Sequence, residues 1–412
     1  MVTKNNVIFS SVTIPIAEQG LASAGTFLFI LIGAKVLGIE EFGLVALLFN
    51  VIMTFSTLIF ALVLLPISSS KDEFASPDQV ATHSLSMLLV LSLAAVPILS
   101  LALFLLVPVN INAGNEVYIM LVAWGHLHFT FEVLRWLVIR YGDLKVCLMS
   151  SAIRWVGFFT ALAFCEGQYE SFSWKSYILL NSLMMIIWIL VVGRHLVKVL
   201  DLSKFKITID LVQLKAALPL TSFTLAKITF NYGVISLILR FWNLEVIAAL
   251  QAFKSIANVF GTISQVIDNH LTAFLARTKR ALEISTRAIM LTISVCVILL
   301  ISAHMAKDVV TPIILDQTYL PYSSFFVLAL YGSLLQLVIR PFATKVRLER
   351  DSKAFYAAIP VIGMIFFPLI ALSGDSEELY FLVFLAESAP IALLTVYLVR
   401  KASALMDAGH LR

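Results

Sequence analysis

Twelve stretches of about twenty mostly apolar residues follow one another along the chain, and each is long enough to cross a hydrocarbon core as a helix. They run near 9–34, 42–66, 83–108, 116–138, 145–164, 175–196, 216–239, 246–271, 285–304, 321–341, 354–373 and 378–399. Residues are 60% hydrophobic and 13% charged, against about 25% charged in ordinary soluble domains. With a mean hydropathy of +0.97, too few polar side chains remain to cover a soluble surface, so lipid must be the solvent for most of it. The expected fold class is an all-α polytopic membrane protein. Its first span lacks a cleavage site and is read as retained. Pro66, Pro108, Pro321 and Pro341 are expected at helix ends.

Basic residues set the orientation. With the N-terminus in the cytoplasm, the cytoplasmic segments hold 21 of the 29 Lys and Arg residues. The opposite side holds 4, namely Lys35, Lys175, Arg240 and Lys307, and the remaining 4 fall inside spans. Both termini are therefore expected in the cytoplasm. The net charge of +4 reflects this asymmetry and argues about topology, so no nucleic-acid partner is expected. Cys147, Cys165 and Cys296 stand singly in or beside apolar runs, without metal-ligand or disulfide spacing. The longest outside connection is read as a short loop, 305–320, holding Asp308 and Asp316.

The chain reads as two halves. Residues 1–196 form an N-terminal six-helix bundle, 197–215 a basic, amphipathic cytoplasmic linker, 216–400 a C-terminal six-helix bundle, and 401–412 a tail. An offset of 205 lays the second half on the first, so that Ile30 meets Ile235, Lys35 meets Arg240, Glu40 meets Glu245 and Thr57 meets Thr262. Six spans per half give both halves the same orientation. Such parallel repeats build transporters with a substrate site between the halves.

Polar residues within the spans fall into stripes. In the eighth span Gln251, Lys254, Ser255, Asn258, Thr262, Gln265 and Asn269 lie within about 100° of helical arc. Thr224, Lys227 and Asn231 mark the seventh span, Gln19, Ser23 and Thr26 the first, and Asn50, Thr54 and Thr57 the second. Unpaired polar groups facing lipid cost several kcal/mol each, so the stripes line either helix contacts or a wet cavity. Lys227 and Lys254 are too deep to snorkel easily. They read as a cationic lining for an anionic substrate, or as structural ion pairs, with Glu18 as a candidate partner. His128, Glu132 and Arg135, with Arg154 on the next span, form a second cluster of either structural or functional character. Glu18 and Glu387 are candidate protonatable coupling groups, since a carboxyl in a low dielectric has a raised pKa.

Three segments resemble a known family. EQGLASAGTFLFILIGAKVLGIEEFGLVALLFNVI resembles the opening two helices of Wzx-type polysaccharide flippases in the MOP superfamily. FEVLRWLVIRYGDLK resembles their fourth helix and its cytoplasmic exit, and LVQLKAALPL the entry to the second half. The resemblance implies two six-helix bundles around a central cavity. The implied cargo is undecaprenyl-diphosphate-linked oligosaccharide, carried from the cytoplasmic to the periplasmic leaflet of a bacterial inner membrane. Candidate partners are that lipid-linked substrate, the bilayer, and a polysaccharide polymerase with its chain-length machinery. No cofactor is expected; H⁺ or Na⁺ is the candidate coupling ion. Members often have an acidic residue in the seventh helix, where this chain reads FNYGVISLIL, which departs from any simple proton-coupling scheme.

The candidate substrate-lining residues are thus Lys227, Lys254, Asn231, Gln251, Asn258, Gln265, Asn50, Arg154 and Arg135. Glu18, Glu132 and Glu387 are candidate coupling or ion-pair residues. Two other functions remain open. A cation-coupled drug or metabolite exporter of the same superfamily would show an acidic site in its lumen. A membrane glycosyl polymerase or ligase would carry a sizeable periplasmic loop with catalytic residues.

Overall fold

In the computed structural model, the residues described are 4–59, 115–141, 143–168, 172–200, 243–278, 286–349 and 379–388, with isolated positions at 85–87, 90, 234–235, 237–238, 391–392, 395 and 397. All regular structure among them is helical. The helices are α1 (Lys4–Val36), α2 (Ile39–Ile59), α3 (Asn115–Tyr141), α4 (Leu144–Gln168) and α5 (Trp174–Val199). Next come α6 (Leu244–Thr278), α7 (Thr286–Ile314), a 3₁₀ turn (Gln317–Tyr322) and α8 (Ser324–Glu349). The apolar helix Leu379–Ser388 is α9. Eight of these helices are long and apolar enough to cross a membrane, and each answers to one predicted span. The chain is a multi-pass membrane protein. The predicted spans 83–108, 216–239 and 354–373 lie almost wholly outside the described residues.

Two compact units divide the chain, Met1–Leu218 and Pro219–Arg412. Helix positions support the internal repeat. The offset of 205 carries the start of α2 at Ile39 onto the start of α6 at Leu244.

In unit 1, α5 packs against α2, α3 and α4, and α1 packs against α4. The buried face of α5 presents Tyr177, Asn181, Met185, Trp188, Val192 and Leu196, the three- and four-residue spacing that one side of a helix requires. Aromatic rings fill the centre. Phe29 lies 4.8 Å from Tyr177, 5.6 Å from Phe158 and 6.1 Å from Trp124 between centroids. Buried polar atoms among these rings find partners, because lipid offers none. The Tyr177 hydroxyl donates to the carbonyl of Phe29, and Trp124 Nε1 donates to Asn181 Oδ1 at 3.3 Å.

Gly25 lets α1 approach α4 closely: a Cβ there would stand 2.1 Å from the Trp155 indole. A ring held between helices cannot step aside as a flexible chain end can. Gly25→Ala is expected to lower stability by about 1–3 kcal/mol, the usual cost of overpacking. Thermal denaturation of the purified protein would read it.

In unit 2, α6 packs along α8, and α7 packs against α8. Two expectations are corrected here. The segment read as the loop 305–320 is mostly helix, because α7 continues through Lys307 and Asp308 to Ile314. Pro341, expected at a helix end, lies inside α8, which runs on to Glu349. Proline is tolerated within membrane helices because neighbours re-satisfy the backbone groups it frees. Polar bonds hold the corner between α7 and α8. Asp316 caps the 3₁₀ turn by accepting from Gln317 N, Ser323 Oγ donates to Asp308 Oδ1 at 2.6 Å, and Lys307 Nζ donates to Ser324 Oγ at 3.0 Å. Tyr322 donates to Glu245 Oε2 of α6 at 3.0 Å. Burial, and then that carboxylate, push the Tyr322 phenol up to about 12, so it stays a donor across the physiological range.

Candidate functional site

Each unit buries charge between its spans. In unit 1 the first and fourth predicted spans meet at an ion pair. Arg135 Nε donates to Glu18 Oε1 at 2.8 Å, and Nη2 donates to Glu18 Oε2 at 2.7 Å. The fork-to-fork geometry is the strong form of such a bond. Nη2 also donates to Gln19 Oε1 at 2.9 Å, and Nη1 lies 3.7 Å from Glu132. Glu18 has only 2% of its side chain exposed and accepts further from Ser151 at 3.5 Å, whose hydroxyl accepts from Trp188 Nε1. The Nε and Nη2 edge of Arg135 is thereby filled with acceptors. Glu18, considered from sequence as a partner for the lysines, pairs with Arg135.

Arg154 lies deeper. It stands next to the midpoint of its span, as does His128 of α3, whereas Arg135 sits about 10 Å further along α3 by helix rise. Arg154 is 5% exposed. Its guanidinium carbon lies 4.4 Å from the centroids of Phe131 and of Trp155. Such contacts stabilise a cation by about 0.5–2 kcal/mol each, while placing an arginine at mid-membrane costs about 2.5–3.5 kcal/mol on insertion scales. The rings offset much of the charge, but not the hydrogen-bonding edge. Arg154 Nε and His128 Nε2 are both buried with no partner.

Unit 2 has its own pair. Lys254 Nζ lies 2.7 Å from Glu387 Oε1, with side-chain exposures of 38% and 13%. Glu387 reaches this position through a gap at Gly332, where a Cβ would stand 2.0 Å from Oε2. Gly332→Ala should displace the carboxylate, the far end of a flexible side chain, and free Lys254 without changing any charge. Stability should fall by less than about 1 kcal/mol, since half-exposed pairs contribute little, and transport should persist. A transport loss as deep as that of a Lys254 truncation would make the pair, and not the lysine, the functional unit.

The stripes are less uniform than their spacing suggested. In α6, Gln251 is buried, Lys254 and Ser255 are half-buried and Asn258 is exposed. In α2, Asn50 Nδ2 donates back to Ala46 O at 2.8 Å, and Thr57 does the same to Met53 O. Small polar groups can satisfy themselves on their own helix, which spacing alone does not reveal. Lys227 and Asn231 lie outside the described residues, as does the side chain of Gln265. Ser151 and Gly332 were not singled out from sequence. A serine four residues from a buried cysteine and a lone glycine in an apolar span carry no signal that marks them.

Cys147 and Cys296 are buried, Cys165 is half-buried, and all three are free thiols. No cluster of three or more metal-ligating side chains occurs among the described residues.

No protein-family model matches this chain, and no curated protein matches it in sequence. Solved structures do match it in fold. An inward-facing multidrug resistance MATE family transporter of the MOP superfamily superposes with a TM-score of 0.62 and 14% identity, over 95% of this chain and 96% of that one. The lipid II flippase MurJ, in an inward closed conformation, gives 0.61 and 14% over 96% and 87%. A MOP superfamily transporter from Pyrococcus furiosus, in which reverse polarity of the binding pocket suggests a different function, gives 0.51 and 13% over 96% and 95%. The fold of this chain is that of the MOP superfamily transporters.

Proposed function

We propose that this protein is a flippase that moves a lipid-linked oligosaccharide with an anionic, diphosphate headgroup from the cytoplasmic to the periplasmic leaflet of a bacterial inner membrane. The observation that supports this reading best is the charge arrangement. The acids Glu18 and Glu387 are committed to Arg135 and Lys254, while the buried cation Arg154 has no acid partner among the described residues. A site with cations to spare suits an anion. The fold is shared with a lipid II flippase.

The MATE relatives keep a second reading in play, that of a cation-coupled exporter. That function needs an acid free to exchange a cation. Three intramembrane acids, Glu18, Glu132 and Glu387, lie within ion-pair range of Arg or Lys, and the side chain of Asp268 in the eighth span lies outside the described residues. Lys254, Lys227, Gln251, Asn231 and Arg135 would line the path of the headgroup. Alternating access would carry it across, driven by a differential interaction with the two states.

Deleting the gene tests the reading in the cell. Single lipid-linked repeat units should accumulate on the cytoplasmic leaflet and surface polysaccharide should be lost. Units that reach the periplasm but stay unpolymerised would favour a polymerase, and unchanged polysaccharide would favour the exporter.

A further inference from the structure

Unit 1 holds two polar side chains at mid-membrane depth, each with a buried hydrogen-bonding nitrogen that has no partner. The guanidinium carbon of Arg154 lies 4.4 Å from the centroids of Phe131 and Trp155, and an aromatic ring offers no conventional hydrogen-bond acceptor. Its five N–H donors lie in the plane of the group, and among them Nε is buried and unpartnered. His128 flanks the same Phe131 ring, with 6.1 Å between centroids, and its Nε2 is likewise buried and unpartnered. Arg154 lies within electrostatic reach of the His128 ring. Two unpartnered polar atoms thus belong to side chains beside one aromatic ring.

We propose that Arg154 and His128 form an oxyanion site in unit 1 that takes a phosphate group of the cargo headgroup. The inference rests on the flippase reading and deepens it by assigning the phosphate to one unit and two residues. Arg135 is unsuited to that role because its Nε–Nη2 edge is taken by Glu18 and Gln19 and its Nη1 lies 3.7 Å from Glu132. Lys254 is held by Glu387. Of Arg135, Arg154 and Lys254, Arg154 alone has no ion-pair partner among the described residues. The rings 4.4 Å from its guanidinium carbon hold the group in place, and its planar fork suits an oxyanion. A carboxylate is satisfied by such a fork alone. A tetrahedral phosphate has a further oxygen outside the fork plane, which gives the imidazole donor a use. Glu132, near enough to act on Arg154, balances part of the charge while the site is empty.

The test uses the full-length protein in detergent and three probes: farnesyl diphosphate, inorganic pyrophosphate and glucuronate. The wild type should bind farnesyl diphosphate and not glucuronate. Arg154→Lys keeps the charge but loses the planar fork, and should bind at least about tenfold more weakly with little change in melting temperature. His128→Gln should weaken binding by a few fold, and Arg154→Met should abolish it. If the Met variant fails to fold, the Lys variant decides. Binding of farnesyl diphosphate without pyrophosphate would assign the site to a lipid headgroup; equal binding of both would assign it to phosphate whatever its attachment. Preference for glucuronate would overturn the ligand class. Wild-type affinity in both Arg154→Lys and His128→Gln would overturn the site and leave Arg154 a packing residue. Lipid-linked oligosaccharide crossing in vesicles separates this inference from the reading beneath it. Crossing by the wild type and equally by Arg154→Lys sinks the site alone, whereas a wild type that neither binds nor transports sinks the flippase reading.

Discussion

Replacing Glu18 by alanine is expected to destabilise unit 1 by about 3–5 kcal/mol, the range for removing one partner of a buried ion pair. The cause lies in what is left behind. Arg135 would keep its position between α1, α3 and α4 with only Gln19 and, at 3.7 Å, Glu132 to accept from it. Glu132 is too exposed to replace a carboxylate with 2% of its side chain exposed. The combined change Glu18→Ala with Arg135→Met should recover much of the loss, because replacing both members of a buried pair with apolar side chains is often neutral. Thermal denaturation of the four proteins forms a double-mutant cycle. Additive losses would show that the two residues do not act as a pair, and an unchanged single variant would show that Glu132 takes over.

The second large effect is on transport. Lys254→Ala should reduce it below about one tenth of wild type at normal expression, as expected where an intramembrane lysine serves a substrate path, and Lys254→Arg should partly restore it. The ion pair with Glu387 introduces a rival cause that the sequence did not resolve. Truncating the lysine also strands an acid, so a loss of transport could be a loss of structure. Lys254→Met together with Glu387→Met separates the two. The double variant should melt like wild type and remain inactive, while Glu387→Gln alone stays active. Recovery of transport in the double variant would reduce Lys254 to a structural role.

The membrane helices were legible because lipid imposes one strong requirement, a run of apolar residues long enough to span it. Eight of the predicted spans reappear as helices, and the end of α7 lies ten residues beyond the predicted one. That shift has a plain cause. Lys307 and Asp308 read as loop because they are charged, yet each finds a hydroxyl partner at the corner before α8 and so remains helical. The cluster of His128, Glu132, Arg135 and Arg154 was legible from helical spacing, and the structure brings its members together. Who pairs with whom was not. Glu18 and Arg135 are 117 residues apart, as remote in sequence as Lys254 and Glu387, which are joined through the gap at Gly332. Such partners are chosen by packing, which periodicity within one helix does not encode. The unpartnered edge of Arg154 was equally hidden, since isolation is a property of the neighbours.

The most direct measurement of the central claim uses the purified protein in sealed vesicles with a fluorescent polyprenyl-diphosphate-linked oligosaccharide in the inner leaflet. The label should become accessible to an external, membrane-impermeant quencher only when the protein is present, and the crossing should be lost in Lys254→Ala. No crossing above protein-free vesicles, combined with uptake or release of a cationic drug against an ion gradient, would contradict it.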